Sequence, residues 1–169
     1  MPDKTRMPID SDIDLHVVQQ RQELLRTPWA ILATISAGGA LGALARYGLA
    51  SAWPHPPGRF PWATFVTNVT GCFLIGVLMV IITEVWTAHR LVRPFLGVGV
   101  LGGFTTFSTY LLDTRTLVVA DRAPLAVVYL FGTLAAGIVA VWLGIAMARQ
   151  LIAGAIRRRR SRTGTRRQT

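Results

Sequence analysis

Residues 102–115 read GGFTTFSTYLLDTR, inside an otherwise apolar segment of about residues 94–120. Two glycines are followed by four hydroxyl side chains interleaved with three aromatic rings. Glycine is a poor helix former, and threonine loses rotamer freedom against the preceding turn. Gly102 and Gly103 followed by Thr105 and Thr106 therefore disfavour continuous helix, and the stretch predicts a membrane helix broken near its centre. Irregular backbone at membrane depth survives only where it is buried or lines a cavity. Freed carbonyls at a break can hold a cation, and the N-terminus of the following half-helix favours an anion.

Working outward, the chain from residue 29 to 148 divides into four apolar segments, at about 29–52, 61–83, 94–120 and 123–148. Roughly 20 apolar residues cross a bilayer, so each is long enough to span. The reading is an all-α membrane protein of four helices, with a polar extension at 1–28 and an arginine-rich tail at 149–169. Residues 1–28 lack the apolar core of a cleavable signal peptide; 12–25 read either as an amphipathic surface helix or as disorder. Span one carries Gly38, Gly39, Gly42 and Ala43 at helical spacing, small residues that let another helix approach, with Arg46 near its end. Span two places Thr64, Thr67 or Asn68, and Gly71 on one narrow polar face. Span four carries Tyr129, Thr133, Gly137 and Gly144. Short connections on both sides of span three predict consecutive helices as antiparallel neighbours.

The acids are few, and five of the eight precede residue 27. No carboxylate or lysine falls near a span centre, and Glu84 and Asp113 lie towards the ends. That argues against a proton-coupled transporter, including a small four-span drug exporter, which needs a titratable group at depth. There is no metal-ligand spacing and no nucleophile–base arrangement, so an enzyme is not expected. The lone Cys72 lies within a span. Neutral donors remain: Thr64, Thr67, Asn68, Thr105, Thr106, Ser108, Thr109 and Thr133, beside Phe104, Phe107, Tyr110 and Tyr129. Such groups either bond neighbouring helices or replace the water of a small anion, and aromatic ring edges carry the positive end of the quadrupole.

Three motifs, GGALGALARY (38–47), TFVTNVTGCFLIG (64–76) and GVLGGFTTFSTY (99–110), resemble the Fluc/CrcB family of fluoride channels, in the family's order and on its first three spans. The similarity covers about residues 30–148. It implies an antiparallel, dual-topology type of dimer that conducts fluoride passively out of the cytoplasm. By position, Asn68 matches the pore asparagine and Phe107 the first of two pore phenylalanines, with Tyr110 in place of the second. Ser108, Thr109 and Thr64 match the polar track, and Tyr129 and Thr133 the fourth-span pair. Gly102 and Thr105 match the break whose backbone carbonyls hold a structural sodium ion at the dimer centre. Arg46, Gly39, Gly42, Gly103 and Gly71 match motif positions.

Two features depart from the family pattern. Tyr110 keeps the ring but adds a hydroxyl, a donor and extra width at a narrow place. The charge is also lopsided: of the 18 basic residues behind a net charge of +10, Arg157 to Arg160, Arg162, Arg166 and Arg167 crowd the tail. Such a tail is expected beside anionic lipid rather than on nucleic acid. Arg21, Arg26, Arg90, Arg93 and Arg149 share its side, against Arg59, Arg115 and Arg122 opposite. The positive-inside rule then puts both termini in the cytoplasm of an inner-membrane protein. A chain so biased inserts one way, so an antiparallel dimer needs a paralogous partner of opposite bias. A heterodimer is therefore expected over a homodimer, with a non-conducting structural subunit as the alternative role.

Overall fold

The computed structural model describes residues 28–85 and 91–165. The amphipathic or disordered stretch at 12–25, the His89–Arg90 connection and the arginine side chains of the tail lie outside the described residues. All regular secondary structure among the described residues is helical. Four helices are long and apolar enough to cross a membrane: Trp29–Ala52, Trp62–Glu84, Pro94–Val119 and Ala123–Gly154. The expected spans are thus present to within a few residues, and the protein is a multi-pass membrane protein.

Helix α1 is Pro28–Ala52, and α2 is Trp62–Val80, extended by a π-helical turn over Ile81–Val85. Span three has three pieces: a π-helical segment Pro94–Leu101, a short α3 of Gly102–Phe104, and α4 of Ser108–Val119. Helix α5 runs without interruption over Ala123–Thr165. At 1.5 Å per residue it is about 64 Å long, roughly twice a hydrocarbon core, so the tail continues the fourth span as one rod. The backbone has no boundary near residue 148.

Helix pairing does not follow chain order. Helix α1 packs mainly on the first half of span three, and α2 mainly on α5. Spans one and two, consecutive in sequence, touch little, and spans two and three, expected to be neighbours across a short connection, also touch less than either main pair. Short loops bring helix ends together, but in lipid the closest backbone approach decides the pairing. A Cβ placed on Gly42 would run into the Val100 carbonyl and come within 2.7 Å of Phe104 N, and one on Gly103 would come within 2.9 Å of Gly39 Cα. On the other pair, Gly76 faces the Val141 carbonyl and Gly144 the Phe73 carbonyl with no room for a side chain.

The buried core lies at one end of the bundle, where Tyr110, Leu117, Ala126 and Tyr129 pack with Phe60, Phe65, Leu125 and Leu130. Elsewhere large apolar side chains face outward, among them Phe131, Leu134, Ile138 and Trp142. These are surfaces for lipid or another protein.

Candidate functional site: the interruption in span three

Helical hydrogen bonding stops between α3 and α4. Thr105 N–H still donates to the Leu101 carbonyl, but Thr105 itself is extended, with φ −74° and ψ 158°. The interruption occupies residues 105–107, after the glycine pair. Gly102 and Gly103 stay helical, and Gly103 serves close approach to α1 rather than backbone freedom.

Side chains take up the freed backbone groups. Asn68 grips the peptide of Thr106 from both sides: its Nδ2 donates to the Thr106 carbonyl at 2.9 Å, and Thr106 N–H donates to its Oδ1 at 2.8 Å. Arg46 Nε donates to the Gly103 carbonyl at 3.2 Å, so this arginine bonds the break. Thr106 Oγ1 accepts from Thr109 N–H at 3.2 Å, donates to Thr109 Oγ1 at 3.1 Å and lies 3.4 Å from Ser108 Oγ. It therefore caps the start of α4.

Two cavities meet at this point. A groove of about 710 Å³ is lined by Asn68, Gly102, Thr105, Thr106, Phe107, Tyr110 and Thr133, with apolar walls from α2 and α5. A smaller one of about 240 Å³ is lined by Arg46, Tyr47, Thr64, Thr67, Thr106 and Thr109. Thr106 lines both, so the peptide held by Asn68 is the partition between them.

A family model described as CrcB-like protein, Camphor Resistance (CrcB), matches residues 33–145. The chain belongs to the CrcB family. A relative from Nocardia farcinica, named fluoride-specific ion channel FluC 2, is 61% identical over 120 residues, covering 71% of this chain and 86% of the relative. Fluoride-specific ion channel FluC 1 of Streptomyces coelicolor is 53% identical over 127 residues, covering 75% and 82%. Fluoride-specific ion channel FluC 2 of Streptomyces avermitilis is 57% identical over 104 residues, covering 62% and 66%. CrcB relatives are thus named as ion channels, and the chain is not an enzyme.

Within this CrcB chain, Asn68, Phe107, Tyr110 and Thr133 gather on the larger groove, and Thr64 and Thr109 on the smaller. Phe107 is 71% exposed on the open side of the groove. Ser108 is exposed near Thr106. Gly71 is covered by the Thr105 methyl, whereas a Cβ on Gly39 would meet nothing within 4 Å; Gly39 instead offers its backbone to Gly103. Rings form a line from the connection between spans one and two to the break. Phe60 lies 5.3 Å from Tyr129, Tyr129 lies 5.3 Å from Tyr110, and Tyr110 lies 6.0 Å from Phe107.

Tyr110 departs from the sequence reading. Its hydroxyl donates to the Leu130 carbonyl of α5 and so is spent on packing, adding neither width nor a donor to the groove. Thr133 Oγ1 likewise donates to its own helix, at the Tyr129 carbonyl. Asp113 lies towards a span end in the sequence, yet it is part of this cluster. Its carboxylate is largely buried, accepting from Thr64 Oγ1 at 2.6 Å and Tyr129 OH at 3.5 Å, with His55 Nε2 at 3.9 Å. The signal available was its position one helical turn beyond Tyr110, on the face that carries the motif.

Proposed function

We propose that this chain is a fluoride channel subunit, letting fluoride leave the cytoplasm passively across the inner membrane and so relieving its toxicity. The observation carrying the reading is the pair of cavities meeting at Thr106, with Asn68 fixing the partition. One Asn68 N–H is taken by Thr106, which leaves the other for an anion. Ser108 and Thr109 hydroxyls and the ring edges of Phe107 and Tyr110 continue the donor surface, with Thr64, Tyr129 and Thr133 behind it, the Thr64 hydroxyl being donated to Asp113. A strongly hydrated small ion needs its water replaced at short range, because an uncompensated charge in a low dielectric costs many kcal/mol. Larger halides do not reach all these donors at once. No energy source is required, since hydrofluoric acid enters uncharged from an acidic exterior and dissociates inside.

The break is suited to a structural sodium ion. Gly102 and Thr105 carbonyls have their usual helical donors, Thr106 N–H and Thr109 N–H, committed to Asn68 and the Thr106 hydroxyl. Neutral carbonyl oxygens are the hard donors a sodium ion takes. When bound, it supplies a fixed positive charge at the centre of an antiparallel dimer.

The partner closing the open groove is, on the charge bias, a paralogous four-span chain inserted the other way, with both termini of this chain cytoplasmic. Expressed alone in liposomes, the chain is expected to give little fluoride efflux, and a cysteine introduced in loop 53–61 is expected to label from one side only. Strong efflux with labelling from both sides would establish a homodimer instead.

A non-conducting role for this subunit would need the Tyr110 hydroxyl to obstruct the groove, and that hydroxyl is bonded to the Leu130 carbonyl of α5. Tyr110→Phe is accordingly expected to leave fluoride flux within about twofold while costing about 1 kcal/mol of stability. A large gain in flux on this substitution would restore the non-conducting reading.

A further inference from the structure

We infer that His55 is a titratable cap on Asp113 that sets fluoride entry at the loop-bearing end of the pathway, the flux rising when His55 is protonated. The inference rests on the channel reading above.

Asp113 is an unlikely group to find beside an anion path unless its charge is managed. Its side chain is 12% exposed, and Thr64 and Tyr129 donate to the same oxygen, Oδ2. Oδ1 instead faces His55 Nε2 at 3.9 Å, beyond a hydrogen bond but within ion-pair range. Among the described residues the other ion pair is Arg149–Glu84, at the far end of α2. Thr64 joins Asp113 to the smaller cavity, whose wall it shares with Arg46, Thr67, Thr106 and Thr109. A charge on Asp113 therefore acts on an anion that reaches that cavity.

The connection carrying His55 is held in place. Pro54, Pro56 and Pro57 restrict its backbone, and Arg59 N–H closes a turn on the Pro56 carbonyl. Gly58, at φ +79°, lies against Ala120 and the Arg122 stem, docking the loop on the turn between spans three and four. The other charged groups on the packed elements are Arg59, Arg115, Asp121 and Arg122, all exposed, and Arg46, which bonds Gly103. The arginines stay charged throughout, and aspartate changes charge only in acid. Histidine is the side chain that changes charge between about pH 5 and 8.

With His55 protonated the pair is neutral overall, and the mouth repels fluoride less. With His55 neutral, the Asp113 charge is opposed by two hydroxyl donors alone. On the topology proposed above, the loop faces outward, so external acid, the condition that drives hydrofluoric acid inward, also opens the exit.

The test is fluoride efflux from liposomes holding the full-length chain in its conducting assembly, with leak through protein-free vesicles subtracted. Flux is expected to be about threefold higher at about pH 6 than at about pH 8, the effect of one charge some 6 Å away in a water-like medium. His55→Gln should be flat at the pH 8 level, and His55→Lys flat at the pH 6 level. Asp113→Asn, which removes the negative charge outright, should raise the flux at about pH 8 to the wild-type level at about pH 6. A pH-independent wild type, or the wild-type ratio retained in both His55 variants, overturns the inference and leaves the channel standing. Fluoride flux absent at every pH overturns the channel reading and this inference together.

Discussion

Asn68→Ala is expected to reduce fluoride flux by about 10- to 100-fold, the factor that follows from removing one hydrogen bond to an ion. The same substitution strips Thr106 of partners for both its N–H and its carbonyl, at about 1–3 kcal/mol for each group left unsatisfied. Unfolding in detergent should therefore move to lower temperature alongside the lost flux. Asn68→Asp separates the two effects. A carboxylate still accepts from Thr106 N–H, but it places a negative charge at the partition and should also block flux. If Asn68→Ala conducts normally, the peptide of Thr106 is not the partition, and the pathway lies elsewhere.

Gly103→Ala and Gly42→Ala are expected to be the most damaging one-carbon additions in the membrane part. Each new methyl would meet backbone of the facing helix, which cannot rotate away as a side chain would. Overpacking of this kind costs about 1–3 kcal/mol, and the upper end applies where neither helix can yield. The comparison that isolates packing is Gly48→Ala or Gly132→Ala, where nothing lies within 4 Å of the new carbon. Those two should be neutral or gain from the better helix propensity of alanine. Monodispersity and thermal unfolding in detergent measure all four. Equal tolerance across the set would mean that helix α1 and span three are not held by this glycine contact.

Much of this protein is legible before any coordinates. Length and polarity of the segments specify four spans, because a bilayer demands about 20 apolar residues and satisfied backbone. The residues gathered at the interruption, Asn68, Thr105, Thr106, Phe107 and Tyr110, are also visible, because polar side chains are scarce inside a span and each stands out.

Other features depended on where helices meet. The glycines at 102 and 103 suggest flexible backbone from sequence, yet they are helical; the interruption falls on Thr105–Phe107, where Asn68, Arg46 and Thr106 satisfy the opened groups. A glycine serves freedom or proximity equally well, and its neighbours across the interface decide which. The Tyr110 hydroxyl is polar in sequence but silent towards the groove, because Leu130 of the fourth span offers it a carbonyl.

Asp113 and His55, 58 residues apart in sequence, become a pair only once the proline-rich connection folds back over span three. Sequence alone thus determined which residues are unusual in a membrane. Tertiary structure decided what each one faces, because hydrogen bonding and close approach act between helices that chain order does not place together.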